Sequence, residues 1–161
     1  FKMPHVKALD SEVFGAAEEA LGLAGERMKE FKESAEFLSS KKFNKNSVVT
    51  YIADLFQPDL LEAQKEIETM SDTRAIATRQ SMVDEFKRIP SMVHQAIDEQ
   101  PGAALKSSKG TWWGAMNAVT FVVDHKWGHD RDASLHNAWF GNRASLKQRA
   151  MNKAIEYAEA A

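Results

Sequence analysis

GTWWGAMNAVTFVVDHKWGHD, Gly110 to Asp130, is the stretch on which the reading of this chain turns. It holds three of the four tryptophans and two of the five histidines. Thr111 has a side-chain oxygen suited to capping a helix. Trp112, Ala115, Met116, Val119, Val122 and Val123 recur at helical spacing and form a wide apolar face. The spacing predicts a helix capped by Thr111 and running to about His125, and Gly128 argues against a longer one. Trp113, Asn117, Thr120 and Asp124 form a second stripe at steps of four, three and four.

The first stripe reads as core. The second can hydrogen-bond a neighbouring loop or be presented to a ligand. Asn117 either closes a buried loop through its amide, since a partly buried polar group must find partners, or contacts a base or phosphate. Trp113 is either a helix–helix contact or a stacking platform.

Outward from this helix, helix formers are plentiful, while glycine and proline number only eight and four. Apart from the short ambiguous run Ser47 to Ile52, no alternating strand is visible, so the expected fold is all-α. Val13, Phe14, Ala17, Leu21, Ala24, Met28, Phe31, Ala35 and Leu38 predict a long amphipathic N-terminal helix from about Ser11 to Leu38. Gly22 and Gly25 weaken its middle. Ser39 to Asn46 reads as a basic, polar loop. A second helix capped by Asn46 or Ser47 is expected to end near Phe56, before Pro58.

Residues 57–72 are expected to form a further helical turn or a mobile linker. A helix over Thr73–Arg88, interrupted by Pro90, and another over Met92–Glu99 capped by Ser91 come next. Gln100-Pro101-Gly102 is a stop signal. A short helix at Ser134–Phe140, closed by Gly141, and a last helix at Asn142–Ala160 complete a C-terminal cluster. Residues 1–161 read as a single helical domain. The chain starts at Phe1 rather than Met, so a longer gene product with a preceding N-terminal portion is expected.

With no cysteine, disulfides and thiolate zinc sites are excluded. No apolar run approaches the roughly 20 residues of a membrane span, so no membrane partner is expected. The net charge of −2 is unevenly spread: from Ala103 onward there are eight basic against five acidic residues. The remainder carries thirteen against eighteen, which points any anionic partner to the C-terminal third.

Asp124, His125, His129 and Asp130, with His136 as a further ligand, have the types and partly the spacing of a metal site. They lack the HExxH glutamate, and Gly128 interrupts the helix between the histidines. A polar helix end with His125 near the C-terminal dipole explains them as well. There is no Cys nucleophile, no phosphate-cradling glycine loop and no Ser-centred motif, so no enzyme and no cofactor are expected.

From Lys106 onward basic and aromatic residues alternate. Single-stranded nucleic-acid binders need this mixture, aromatic faces to stack bases and Lys or Arg to neutralise phosphates. The expected nucleic-acid-binding residues are Lys106, Lys109, Trp113, Asn117, Lys126, Trp127, Arg131, Arg143, Lys147 and Arg149. The alternative is that Trp112, Trp139 and Phe140 are core and the basic residues a solvated face.

The run Gln100 to Ala103, the GTWWGAMNAVTFVVDH block, AWFG at Ala138–Gly141 and LKQRA at Leu146–Ala150 resemble the C-terminal part of the uncharacterised phage/plasmid-like protein family. VTYIADLF at Val49–Phe56 is similar to a weaker upstream element of that family. The resemblance implies a mobile-element origin and a bacterial host cytoplasm, and it carries no established activity. The resulting expectation is a single-stranded DNA-binding protein of a bacteriophage or plasmid, assisting transcription or replication of the element. A polymerase or another phage or host protein would be its partner. Two alternatives stand beside it: an oligomeric protein-interaction module, and a metal-dependent enzyme using Asp124, His125 and His129.

Overall fold

The computed structural model describes residues 11–126 and 143–161, with the side chains of 11–14 and 143–144 outside the description. Among the described residues there are six helices: α1 (Ser11–Ser40), α2 (Lys45–Thr69), α3 (Thr73–Phe86), α4 (Ile89–Glu99), α5 (Trp112–His125) and α6 (Arg143–Glu159). The fold is all-α; an isolated antiparallel bridge between Lys42 and Thr111 is the β-type pairing among these residues. The chain divides into two units, Phe1–Glu36 and Phe37–Ala161.

In the first unit, the apolar positions of α1 recur at helical spacing, yet Leu21, Leu23, Met28 and Phe31 are exposed. The last turn of the same helix belongs to the second unit, where Leu38 is fully buried.

The second unit is built around α5, which packs against α4 and α6, while α2 packs against α3, α4 and α6. Every residue of the predicted apolar face, Trp112, Ala115, Met116, Val119, Val122 and Val123, is buried. Removing each valine side chain from water contributes about 1.5–3 kcal/mol. The predicted second stripe, Trp113, Asn117, Thr120 and Asp124, is half-buried throughout. Phe43, Tyr51, Trp112 and Tyr157 form an aromatic cluster, with ring centroids 5.3 Å apart for Tyr51–Trp112 and 5.4 Å for Trp112–Tyr157. The Tyr51 hydroxyl donates to the Ala150 carbonyl at 2.9 Å, tying α2 to α6. Tyr157 donates a short hydrogen bond to Asp54 across the same pair of helices.

Three local expectations are corrected. The cap of α2 is Asn44, not Asn46 or Ser47: its extended backbone (φ −95°, ψ 162°) lets its side chain accept from the Ser47 N–H at 2.8 Å. That helix does not stop before Pro58 but continues through it to Thr69. Proline removes one helical N–H and so deprives the Asp54 carbonyl of its usual partner. Tertiary packing outweighs that loss: Leu55 and Phe56 before the proline and Ala63 and Ile67 after it all engage the core. Residues 57–69 are therefore the second half of α2. Third, Pro90 lies in the opening turn of α4 rather than between two helices, where its missing N–H is harmless. Ser91 is then an exposed residue of the first turn, not the cap. The expected helix at Ser134–Phe140, with Gly128, Trp139 and Gly141, lies outside the described residues.

Candidate nucleic-acid interface

The segment between α4 and α5 is short of regular structure but closely held. Successive turns link Ala103 N–H to the Gln100 carbonyl, Leu105 N–H to Gly102, and Ser108 and Lys109 N–H to Leu105, all at 2.9–3.0 Å. Gly102 and Gly110 take positive φ values of 85° and 71°, backbone that side-chain-bearing residues rarely adopt. Thr111 then does double duty. Its hydroxyl donates to the Ser107 carbonyl at 2.6 Å and accepts from the Gly114 N–H at 3.2 Å, capping α5 as the sequence predicts. Gly114 is required by close approach, since a Cβ there would overlap the Ser108 carbonyl oxygen. The buried Gln100 amide donates to the Gly114 carbonyl at 3.1 Å. The amide that closes a buried loop is thus that of Gln100, while Asn117 is half-buried and its side chain makes no hydrogen bond among the described residues.

This loop presents Lys106 and Lys109 to solvent, and Lys126 is exposed just after the other end of α5. Fourteen helical residues separate the two ends of α5, about 20 Å at 1.5 Å per residue. Among the described residues none of these three lysines forms an ion pair. Lys126 borders a depression of about 280 Å³ that Met92, Glu99 and Phe121 also line.

The basic residues of α6 are placed otherwise. Lys147 reaches both oxygens of Asp124 on α5, at 3.0 and 3.3 Å. Arg149 binds Asp59 on α2 at 2.8 Å, and its Nε is buried without a partner among the described residues. Both cations face carboxylates of neighbouring helices, so a phosphate would have to compete with them. Trp113 is half-buried and packed against the core. Thr120 donates to the Met116 carbonyl of its own helix at 3.2 Å. Trp127, Arg131, His129, Asp130 and His136 lie outside the described residues, as does the side chain of Arg143. No group of three metal-ligating side chains occurs among the described residues. His125 is exposed, its ring 5.0 Å from that of Phe121.

Two tyrosines near the α2–α6 contact are shifted. Burial pushes the Tyr51 hydroxyl well above its ordinary range. Burial, then the hydrogen bond and charge of Asp54, push Tyr157 up to about 12. Both stay protonated, and so able to donate, through the neutral range.

The sequence pattern of residues 1–155 matches the family described as Domain of unknown function (DUF932). The chain belongs to the DUF932 family. No curated protein and no solved structure matches it. The DUF932 match covers most of the chain, α1 included, and supplies no reaction or ligand. No helix among the described residues is long and apolar enough to cross a membrane.

The geometry also draws attention to residues outside the expected set. The bridge at Lys42 and Thr111 is closed by Phe43 N–H to the Gly110 carbonyl and Trp112 N–H to the Lys41 carbonyl, each at 3.0 Å. It brings the loop before α2 beside the loop before α5. The cluster Lys41-Lys42-Phe43-Asn44-Lys45 is visible in the sequence as a basic loop, but nothing in those residues tells which other loop they touch.

Proposed function

We propose that this DUF932 protein binds single-stranded DNA without catalysing a reaction, as part of a phage or plasmid protein that assists transcription or replication of the element. The host cell's cytoplasm is the proposed location, and a polymerase or another phage or host protein the proposed partner. The observation that supports the reading is the loop from Pro101 to Thr111: it contains no acidic residue, is held by its own hydrogen bonds, and exposes Lys106 and Lys109 without ion pairs among the described residues. A cation held ready on an ordered loop can neutralise phosphate without first breaking an internal pair. The engaged Lys147 and Arg149 support it less, and Trp113 offers only the part of its ring that the core leaves uncovered.

Tryptophan fluorescence during titration with an unlabelled oligothymidylate, and then a duplex, at low and moderate salt tests the reading. Quenching by the single strand that weakens with salt supports it. No spectral change and no retained complex at low salt removes it. A second reading, an oligomeric interaction module, is favoured by one observation: Leu21, Met28 and Phe31 share the apolar stripe of α1 and are exposed. Mass that rises with concentration, without affinity for DNA, would select that reading instead.

A further inference from the structure

We propose that the loops 41–45 and 101–111 form one composite phosphate-binding edge, on which Lys41, Lys42, Lys45, Lys106 and Lys109 follow the backbone of a single-stranded nucleic acid. The inference rests on the single-stranded binding reading and deepens it by naming the surface. The backbone pairing of 41–43 with 110–112 makes two loops distant in sequence into neighbours. Neither loop contains an Asp or Glu, so five positive charges gather on a chain whose net charge is −2. Lys42, Lys45, Lys106 and Lys109 are exposed, and Lys41 is half-buried with its ammonium 5.8 Å from the Phe37 ring. None of the five forms an ion pair among the described residues, whereas Lys147 and Arg149 do.

The same edge carries the first turns of α2 and α5, whose dipoles add potential of the same sign. Long-range attraction to a polyanion depends on such local segregation of charge rather than on the net charge. Lys126, at the far end of α5, is not part of this edge. The large exposed apolar side chain of the two loops is Leu105, 62% accessible. One such side chain gives little to insert into a bilayer, and ordered, spaced ammonium groups suit a chain of phosphates better.

The test is the affinity for oligothymidylate measured by anisotropy across a salt series. The wild-type chain is compared with the double variant Lys42→Gln/Lys109→Gln and the charge-matched control Lys65→Gln/Lys87→Gln. Lys65 lies twenty residues along α2 from Lys45, about 30 Å away. The edge variant should bind at least about tenfold more weakly at low salt, and its log–log salt slope should shrink by about 1.4, near 0.7 for each phosphate left without its lysine. The control should match the wild type in both respects. If Lys42→Gln/Lys109→Gln lowers the melting temperature, Lys45→Gln/Lys106→Gln replaces it, with the same loss of affinity expected.

Wild-type binding that neither edge variant weakens, or that the control weakens equally, overturns the edge while leaving the binding reading in place. No binding by the wild-type chain overturns both. Binding to phosphatidylserine vesicles but not to oligothymidylate overturns both in favour of a membrane surface.

Discussion

Lys109 and Arg149 are both basic residues of the tryptophan-rich C-terminal third, and the sequence treats them alike. The structure separates them. Arg149 is spent on Asp59, whose side chain is 19% exposed, and so joins α6 to α2. Lys109 stands on a loop that contains no acid and has no internal ion pair among the described residues. The pair teaches that basic residues counted along a chain do not make a basic surface. What matters is whether a carboxylate from another element reaches the cation first. By that criterion α6 serves cohesion, and the paired loops are left as the proposed recognition surface.

The largest effect should come from the scaffold on which both regions depend. Trp112→Ala removes the centre of the aromatic cluster and should cost about 3–5 kcal/mol in chemical denaturation. Gly114→Ala acts where α5 meets the loop before it. Its new Cβ meets the Ser108 carbonyl, so the loop must shift or the helix must move. A destabilisation of about 1–3 kcal/mol is expected, together with weaker oligonucleotide binding because the lysine-bearing loop is displaced. Undiminished stability would contradict the close approach of Gly114 to Ser108.

Next in size is the cation comparison itself. Arg149→Met leaves the largely covered Asp59 without its partner and should destabilise by about 1–2 kcal/mol. Lys109→Gln should stay within about 0.5 kcal/mol, as surface substitutions usually do. Equal stability losses for the two would erase the distinction drawn between cohesion and recognition.

A smaller, pH-dependent effect belongs to the α2–α6 contact. Tyr157 is neutral in the folded chain up to about 12, while in the unfolded chain it ionises near 10, and Tyr51 is shifted in the same direction. Their contribution is therefore complete below about pH 10 and is lost as the pH rises through the folded value. Tyrosine absorbance and helical circular dichroism followed together in an alkaline titration should change as one transition, with Tyr157→Phe reducing the number of protons released in it. Full tyrosine ionisation before any loss of helix would contradict this.

Much of α5 is legible in the sequence because its signals are local. Thr111 caps where its side chain can reach Gly114, and the three-and-four spacing separates a buried stripe from a half-buried one. The course of α2 through Pro58 is not legible, because the proline is a local signal overruled by packing on both sides of it. The same limit applies to the candidate site. The sequence marks Lys106 and Lys109 as basic candidates but does not set them apart from Lys147 and Arg149. That Asp124 and Asp59 occupy Lys147 and Arg149, and that Lys42 lies opposite Thr111, depends on helix and loop pairings distant in sequence.

The most direct measurement is lysine acetylation read residue by residue by mass spectrometry, with and without saturating oligothymidylate. Protection is expected at Lys42, Lys45, Lys106 and Lys109, with little change at Lys65, Lys87 and Lys147. Protection of Lys147 and the rest of α6, with the paired loops still fully reactive, would contradict it.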